Sequence, residues 1–124
     1  ALEIHDWCIS NMDKIWWSNA KVDGSFIPGW FGPVNEHWFF AVRSFGKIEI
    51  YFGQMLRKPP FDDIGLRKEF ITRLNALGAN ISDDKHDRYP KFPLDLLTTN
   101  EGMQKFKDTI SWAIDEARRA EENK

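Results

Sequence analysis

His5 and Cys8 stand three positions apart near the start of the chain, the spacing at which side chains meet on a helix. A thiolate activated by an imidazole is a nucleophile. Catalysis by such a pair also requires an oxyanion hole and an orienting group, and no segment supplies either. A buried cysteine beside a surface histidine is therefore expected. Asp83-Asp84-Lys85-His86-Asp87 gathers oxygen and nitrogen ligands in one loop, as a hard divalent cation requires. Its spacing matches neither a calcium loop nor a zinc pattern, and Lys85 and Arg88 compete for the same carboxylates. A solvated loop without metal is expected there. Asp62 and Asp63 follow Pro59-Pro60-Phe61 and precede a helical pattern, a place where capping and dipole interaction account for both. There is no phosphate-binding glycine loop, no Gly-x-Ser-x-Gly and no His-Glu-x-x-His. These residues imply neither an enzyme nor a cofactor.

The aromatic side chains carry more. "KIWWSNAKVDGSFIPGW", residues 14–30, holds three of the six tryptophans. On a helix Trp16 and Trp17 lie about 100° apart, so one core cannot take both. Phe26 and Trp30 follow a glycine turn, and Trp38 opens the next apolar run. A partly exposed tryptophan is what a stacking platform or aromatic cage needs, and Lys14, Lys21, Arg43 and Lys47 would supply charge for phosphates. The competing account is a small domain that fills its core with large side chains. The balance is a stretch that is mainly core, with an exposed rim.

Several elements must position these residues. Residues 2–17 read as a helix, with Ile4, Cys8, Ile15 and Trp16 recurring near a 3.6-residue period. Asp23-Gly24 marks a turn. A short strand is expected at about 25–30 and two clearer ones at 37–43 and 47–53, the last two joined as an antiparallel hairpin. Ile48, Ile50 and Phe52 alternate with Lys47, Glu49 and Tyr51, so one face packs on helices and the other is partly wet. A helix is expected over 64–77, capped by Asp62 or Asp63 and closed by Gly78. Residues 79–92 read as a polar loop and 93–97 as a short helix. The longest helix runs from Glu101 to about Ala120, with Met103, Phe106, Ile110, Ala113, Ile114 and Ala117 on one stripe and Trp112 off it. The order predicts one α+β domain over residues 1–124, a small antiparallel sheet of two or three strands packed by an N-terminal helix and C-terminal helices.

Composition agrees with a single domain. A chain of 124 residues can bury a real core without staples, and 15% aromatic content argues against disorder. A single cysteine, Cys8, leaves no internal disulfide and suggests a reducing, cytoplasmic setting. No apolar run is long enough for a membrane span. The start at Ala1, already inside a helical pattern, suggests a piece of a longer protein. Net charge is −2, yet 43–91 carries ten Lys/Arg against seven Asp/Glu, a local basic excess.

The succession "KIWW…K.DGSF.P", "FFAV…GKIEIYF..M…PPFDD", "RLN.LG", "YP.FPLDLL" and "F…ISWAIDEAR" resembles an uncharacterised bacterial domain. In that group it lies at the carboxy-terminal end of larger proteins, some with nuclease or restriction-type regions. The group commonly has Trp-Trp-Gly where this chain has Trp16-Trp17-Ser18. The resemblance implies an accessory domain and brings no catalytic motif. Together with the local basic excess it gives the first expectation: a non-catalytic nucleic-acid-recognition or targeting domain of a larger DNA-processing or defence protein, touching DNA or RNA through Trp17, Trp30, Arg43, Lys47, Arg57 and Lys58. The alternative is a protein–protein or oligomerisation module whose exposed aromatics meet a partner chain.

Overall fold

The computed structural model describes residues 2–12, 14–17, 26–32, 36–43 and 46–122, with backbone only at 2, 3, 5, 14–17 and 31. Helix α1 (Leu2–Asn11) leads into strands β1 (Lys14–Trp17), β2 (Phe26–Phe31), β3 (Glu36–Trp38), β4 (Phe40–Arg43) and β5 (Lys47–Ile50). A single turn α2 (Phe52–Met55), helix α3 (Ile64–Asn75), strand β6 (Lys91–Pro93) and the long helix α4 (Asn100–Glu122) follow. Short 3₁₀ turns occupy Asp83–Lys85 and Leu94–Leu97. The strands form one antiparallel sheet in the order β1-β2-β4-β5-β6, with β3 also paired to β2. The α+β class is as expected, and no described helix is long and apolar enough to cross a membrane.

The sheet is larger than the sequence suggests: six strands among the described residues rather than two or three. The helix expected over 2–17 stops at Asn11, and the Met12 N–H closes its last turn on the Cys8 carbonyl at 2.8 Å. Ile15, Trp16 and Trp17 then pair with Pro28, Ile27 and Phe26. These β-favouring residues satisfy a helical period locally, but pairing with β2 decides their state. The strand β6 was hidden in a polar segment because only Phe92 of its three residues is apolar; it forms against Ile48 on β5. The Asp23-Gly24 turn and Lys21 lie outside the described residues.

The strand expected at 37–43 is interrupted at Phe39. Gly29 pairs with Trp38, while Phe26 pairs with Val42. Ile27 and Pro28 on one strand thus stand opposite Phe39, Phe40 and Ala41 on the other, which is a β-bulge of one residue. An unbroken strand would send Phe39 and Phe40 to opposite faces. Here both are fully buried. Phe39 meets the Phe61 ring edge-on at 5.9 Å, and Phe40 meets Phe106 of α4 at 5.0 Å. The β4–β5 hairpin has the expected register, Val42 opposite Ile48 and Arg43 opposite Lys47. The strand expected to reach 53 ends at Ile50 and turns into α2, which keeps Phe52 in the core.

Helix α3 begins at Asp63, whose carboxylate accepts from the Gly65 N–H at 3.1 Å. It ends at Asn75, short of the expected 77, and the chain turns away through Gly78, which adopts φ 107°, while the Ala79 N–H reaches back to the Leu74 carbonyl. The apolar stripe of α4 is buried from Met103 to Ala117. Trp112, off that stripe, packs edge-on against Phe61 and Phe70 and carries the Arg73 guanidinium 4.4 Å above its ring. Ile48, Ile50, Phe52, Phe70, Leu74, Phe106, Ile110 and Ile114 belong to one core, to which α1 adds Ile4 and Cys8 and the residue after it adds Met12. Truncation of Ile50 or Ile110 to Ala therefore lowers unfolding free energy by about 2–5 kcal/mol in a denaturant titration. Losses below about 0.5 kcal/mol for both, the range of surface substitutions, would contradict this packing.

Candidate nucleic-acid interface

Of the residues with catalytic or metal-binding chemistry, Cys8, Asp84 and His86 are engaged in structure. Cys8 is fully buried, and burial pushes its thiol up to about 12, so the thiolate is scarce near neutral pH. The His5 side chain lies outside the described residues. In the 83–87 loop, Ser82 Oγ donates to Asp84 Oδ1 at 2.8 Å and holds that carboxyl below its ordinary range. Arg67, buried on α3, donates to the carbonyls of His86 and Phe61 at 2.8 Å each and lies 3.3 Å from His86 Nδ1. That staple engages Nδ1 of His86. Among the described residues no three His, Cys, Asp or Glu side chains converge on a metal position.

The inner face of the sheet carries the core, so the outer face carries what alternation leaves: Ile27, Gly29, Trp38, Arg43, Lys47, Glu49 and Lys91. On its β5 side Glu49 organises the charges. Arg43 donates through Nε (2.8 Å) and Nη2 (2.5 Å) to Glu49 Oε1, and Lys91 Nζ lies 3.6 Å from Glu49 Oε2. Arg43 Nη2 also donates to the Tyr51 hydroxyl at 3.2 Å. Burial raises the Tyr51 pKa above its ordinary value, so the hydroxyl keeps its proton and can donate onward. The Tyr89 ring meets Tyr51 edge-on at 5.4 Å.

Beside Tyr51 opens a cleft of about 340 Å³ lined by Ile27, Trp38, Tyr51 and Gln54. The Trp38 indole lies against the Gly29 backbone, where a Cβ would sit 2.7 Å from the ring; any larger residue at position 29 displaces the indole. Trp38 Nε1 donates to Glu36 Oε2 at 3.3 Å. A second, water-sized hollow shares Trp38 and Gln54 with the cleft and adds Lys58. Lys58 Nζ donates to the Glu36 carbonyl at 2.8 Å. The cleft thus has a cation at each flank, Arg43 through Tyr51 and Lys58 through Trp38.

The sequence-derived contacts divide accordingly. Arg43 touches the cleft residue Tyr51, Lys58 lines the adjoining hollow, Lys47 stands opposite Arg43 across the hairpin, and Arg57 is exposed immediately before Lys58. Arg43 is not an unclaimed cation, because Glu49 occupies its fork. Trp30 points to the other side of the sheet: its ring lies 5.5 Å from His37, with the Arg118 guanidinium 5.8 Å from the ring centre. The Trp17 backbone pairs with buried Phe26, and its side chain lies outside the described residues. Sequence reasoning weighed Trp38 among the aromatics without naming it a contact, and did not name the cleft residues Ile27, Tyr51 and Gln54 as contacts. The alternation of Tyr51 with Ile50 and Phe52 was a usable signal; Gln54 offered none.

Behind Trp30, His37 Nε2 lies 3.3 Å from Glu121 Oε2 on α4, with both side chains buried. Burial lowers the His37 pKa, a nearby Lys58 charge adds to that, and the Glu121 hydrogen bond and charge only partly oppose it. The ring also stacks on Phe39 at 6.2 Å.

Comparison with protein-family models, with curated proteins and with solved structures finds no match to this chain.

A depressed folded pKa means that the unfolded chain, whose histidine titrates near 6.5, binds more protons in the window below that value. Stability linked to His37 is present above about pH 6.5 and is lost as pH falls toward the folded pKa. Denaturation curves between about pH 7.5 and 5.5 should show this decline, and His37→Gln should make it shallower. An unchanged slope in the variant would contradict the linkage.

Proposed function

We propose that this chain is a non-catalytic nucleic-acid-recognition domain, an accessory or targeting part of a larger DNA-processing or defence protein, and that it receives DNA or RNA on the outer face of its sheet. The observation that carries this reading is the cleft walled by Trp38 and Tyr51 with basic side chains on both flanks. Aromatic faces stack on bases of any sequence, and Lys and Arg beside them follow the phosphates. Arg43, Lys47 and Lys91 share this face with Glu49, and Lys58 lines the adjoining hollow with Glu36. This local excess, set in an acidic chain, gives the face its charge preference. The resemblance to accessory domains of nuclease-type proteins supports the same reading.

The apolar walls of Ile27 and Trp38 would also accept a side chain of a partner protein, and that is the second reading. Salt separates the two. Phosphate contacts release counterions, so nucleic-acid affinity falls steeply as salt rises. In fluorescence titrations with single- and double-stranded DNA and RNA, Trp38→Ala should cost roughly 1–3 kcal/mol of binding. Charge reversal at Lys47 and Arg57 should instead flatten the salt dependence. No binding to any nucleic acid at low salt, where attraction is strongest, would reject the proposal and favour the protein partner.

A further inference from the structure

We infer that Glu49 is a specificity-determining residue of the outer face: it withholds Arg43 and Lys91 from phosphates, so that a polyanion without bases is held poorly there. The inference rests on the nucleic-acid reading above and deepens it, by naming what keeps the face from gripping any negatively charged polymer.

Three cations lie close together on the β4–β5–β6 side of the sheet. Arg43 and Lys47 stand directly opposite each other across the hairpin, and Lys91 stands opposite Glu49 on the next pair of strands. Arg and Lys gathered on a surface bind phosphates and carry no information about bases. One carboxylate changes this. Glu49 lies two residues along β5 from Lys47, so both belong to the same face. Its Oε1 accepts from Nε and Nη2 of Arg43 at 2.8 and 2.5 Å, and its Oε2 lies 3.6 Å from Nζ of Lys91. Both oxygens are committed, each to a different cation.

Unequal burial makes the arrangement hard to undo. The Glu49 side chain is 11% exposed, against 23% for Arg43 and 46% for Lys91. A phosphate that captured Arg43 would leave this carboxylate poorly solvated and without its main partner, which is costly. It would also lie beside a fixed negative charge. Lys47 differs, because among the described residues it enters no ion pair. It can meet a phosphate without that cost.

The same carboxylate serves the cleft. Arg43, held by Glu49, keeps its Nη2 contact with the Tyr51 hydroxyl at 3.2 Å, so neutralising the arginine also supports one aromatic wall. Affinity must then come largely from stacking on Trp38 and Tyr51, which a chain without bases cannot supply. Discrimination of this kind sets a repulsive element beside an attractive one.

The test compares a short single-stranded oligonucleotide with inorganic polyphosphate of similar length, titrated at several salt concentrations. The wild-type protein should bind the oligonucleotide more tightly. Glu49→Gln keeps the shape and removes the charge. It should raise polyphosphate affinity severalfold at low salt and narrow that preference. Its salt dependence on the oligonucleotide should steepen by about 0.7 in slope for each phosphate gained. Glu69→Gln, which neutralises the carboxylate paired with Arg73 on α3, should do neither; a similar rise in both variants marks a general charge effect and overturns the inference. A second comparison does not depend on Glu49→Gln folding. In the wild-type background Lys47→Ala should flatten the salt dependence more than Lys91→Ala, because Glu49 engages only the second lysine. Equal wild-type affinity for the two polymers, equal losses in the two lysine variants, or no gain with folded Glu49→Gln overturns the inference and leaves the nucleic-acid reading standing. Absence of oligonucleotide binding by the wild-type protein at low salt removes both.

Discussion

The structure turns on the burial of two consecutive phenylalanines. Phe39 and Phe40 follow each other in a strand, yet both point into the core, which the pleat of a regular strand forbids. The extra residue opposite Ile27 and Pro28 resolves the conflict. Phe40 then anchors α4 through Phe106, and Phe39 reaches Phe61, which in turn touches Phe70 of α3 and Trp112 of α4. One irregularity in the sheet thereby fixes both helices. It also sets the phase of the residues before it. His37 faces inward to Glu121, and Trp38 faces outward against Gly29.

Charge on the outer face is arranged around this phase. Glu49 is only 8% exposed and gathers Arg43 and Lys91. A mostly buried carboxylate requires such partners, because removing a charge from water without pairing it is costly. The consequence for function is that Arg43 acts through position: it holds the Tyr51 hydroxyl and keeps one wall of the cleft in place. Under the proposed function, Lys47 and Lys58 are the cations better placed to follow a phosphate chain. Exposed ion pairs elsewhere, such as Arg73–Glu69 on α3, add little to stability.

Local rules made much of the frame legible. Alternation placed Ile48 and Ile50 inside, a helical stripe placed Phe106, Ile110 and Ile114 inside, and the chemistry of Asp63 and Gly78 marked the ends of α3. What escaped was non-local. Ile15-Trp16-Trp17 fits a helical stripe with Ile4 and Cys8, and only pairing with β2 makes it a strand. Phe92 lacks apolar neighbours in its own segment, so β6 exists through Ile48 alone. The bulge leaves no mark in composition, and with it went the direction of Trp38. Trp30 read as an exposed aromatic because nothing in the sequence brings the end of α4 against it. Glu49 was recognisable as an outward strand residue, but its capture of Arg43 depends on the hairpin register. The aromatic stretch is thus divided by topology: Trp30 packs beside His37, while Trp38, outside the quoted run, walls the cleft.

The central claim is that the outer face of the sheet, and Trp38 and Tyr51 above all, receives a nucleic acid. Backbone amide NMR spectra recorded during titration with a single-stranded oligonucleotide at low salt test it most directly. The account predicts shifts concentrated at Ile27, Gly29, Trp38, Arg43, Lys47, Tyr51 and Gln54, with the exposed side of α4 around Asp108 and Asp115 unmoved. Shifts confined to the helical side, or none at all, would contradict it.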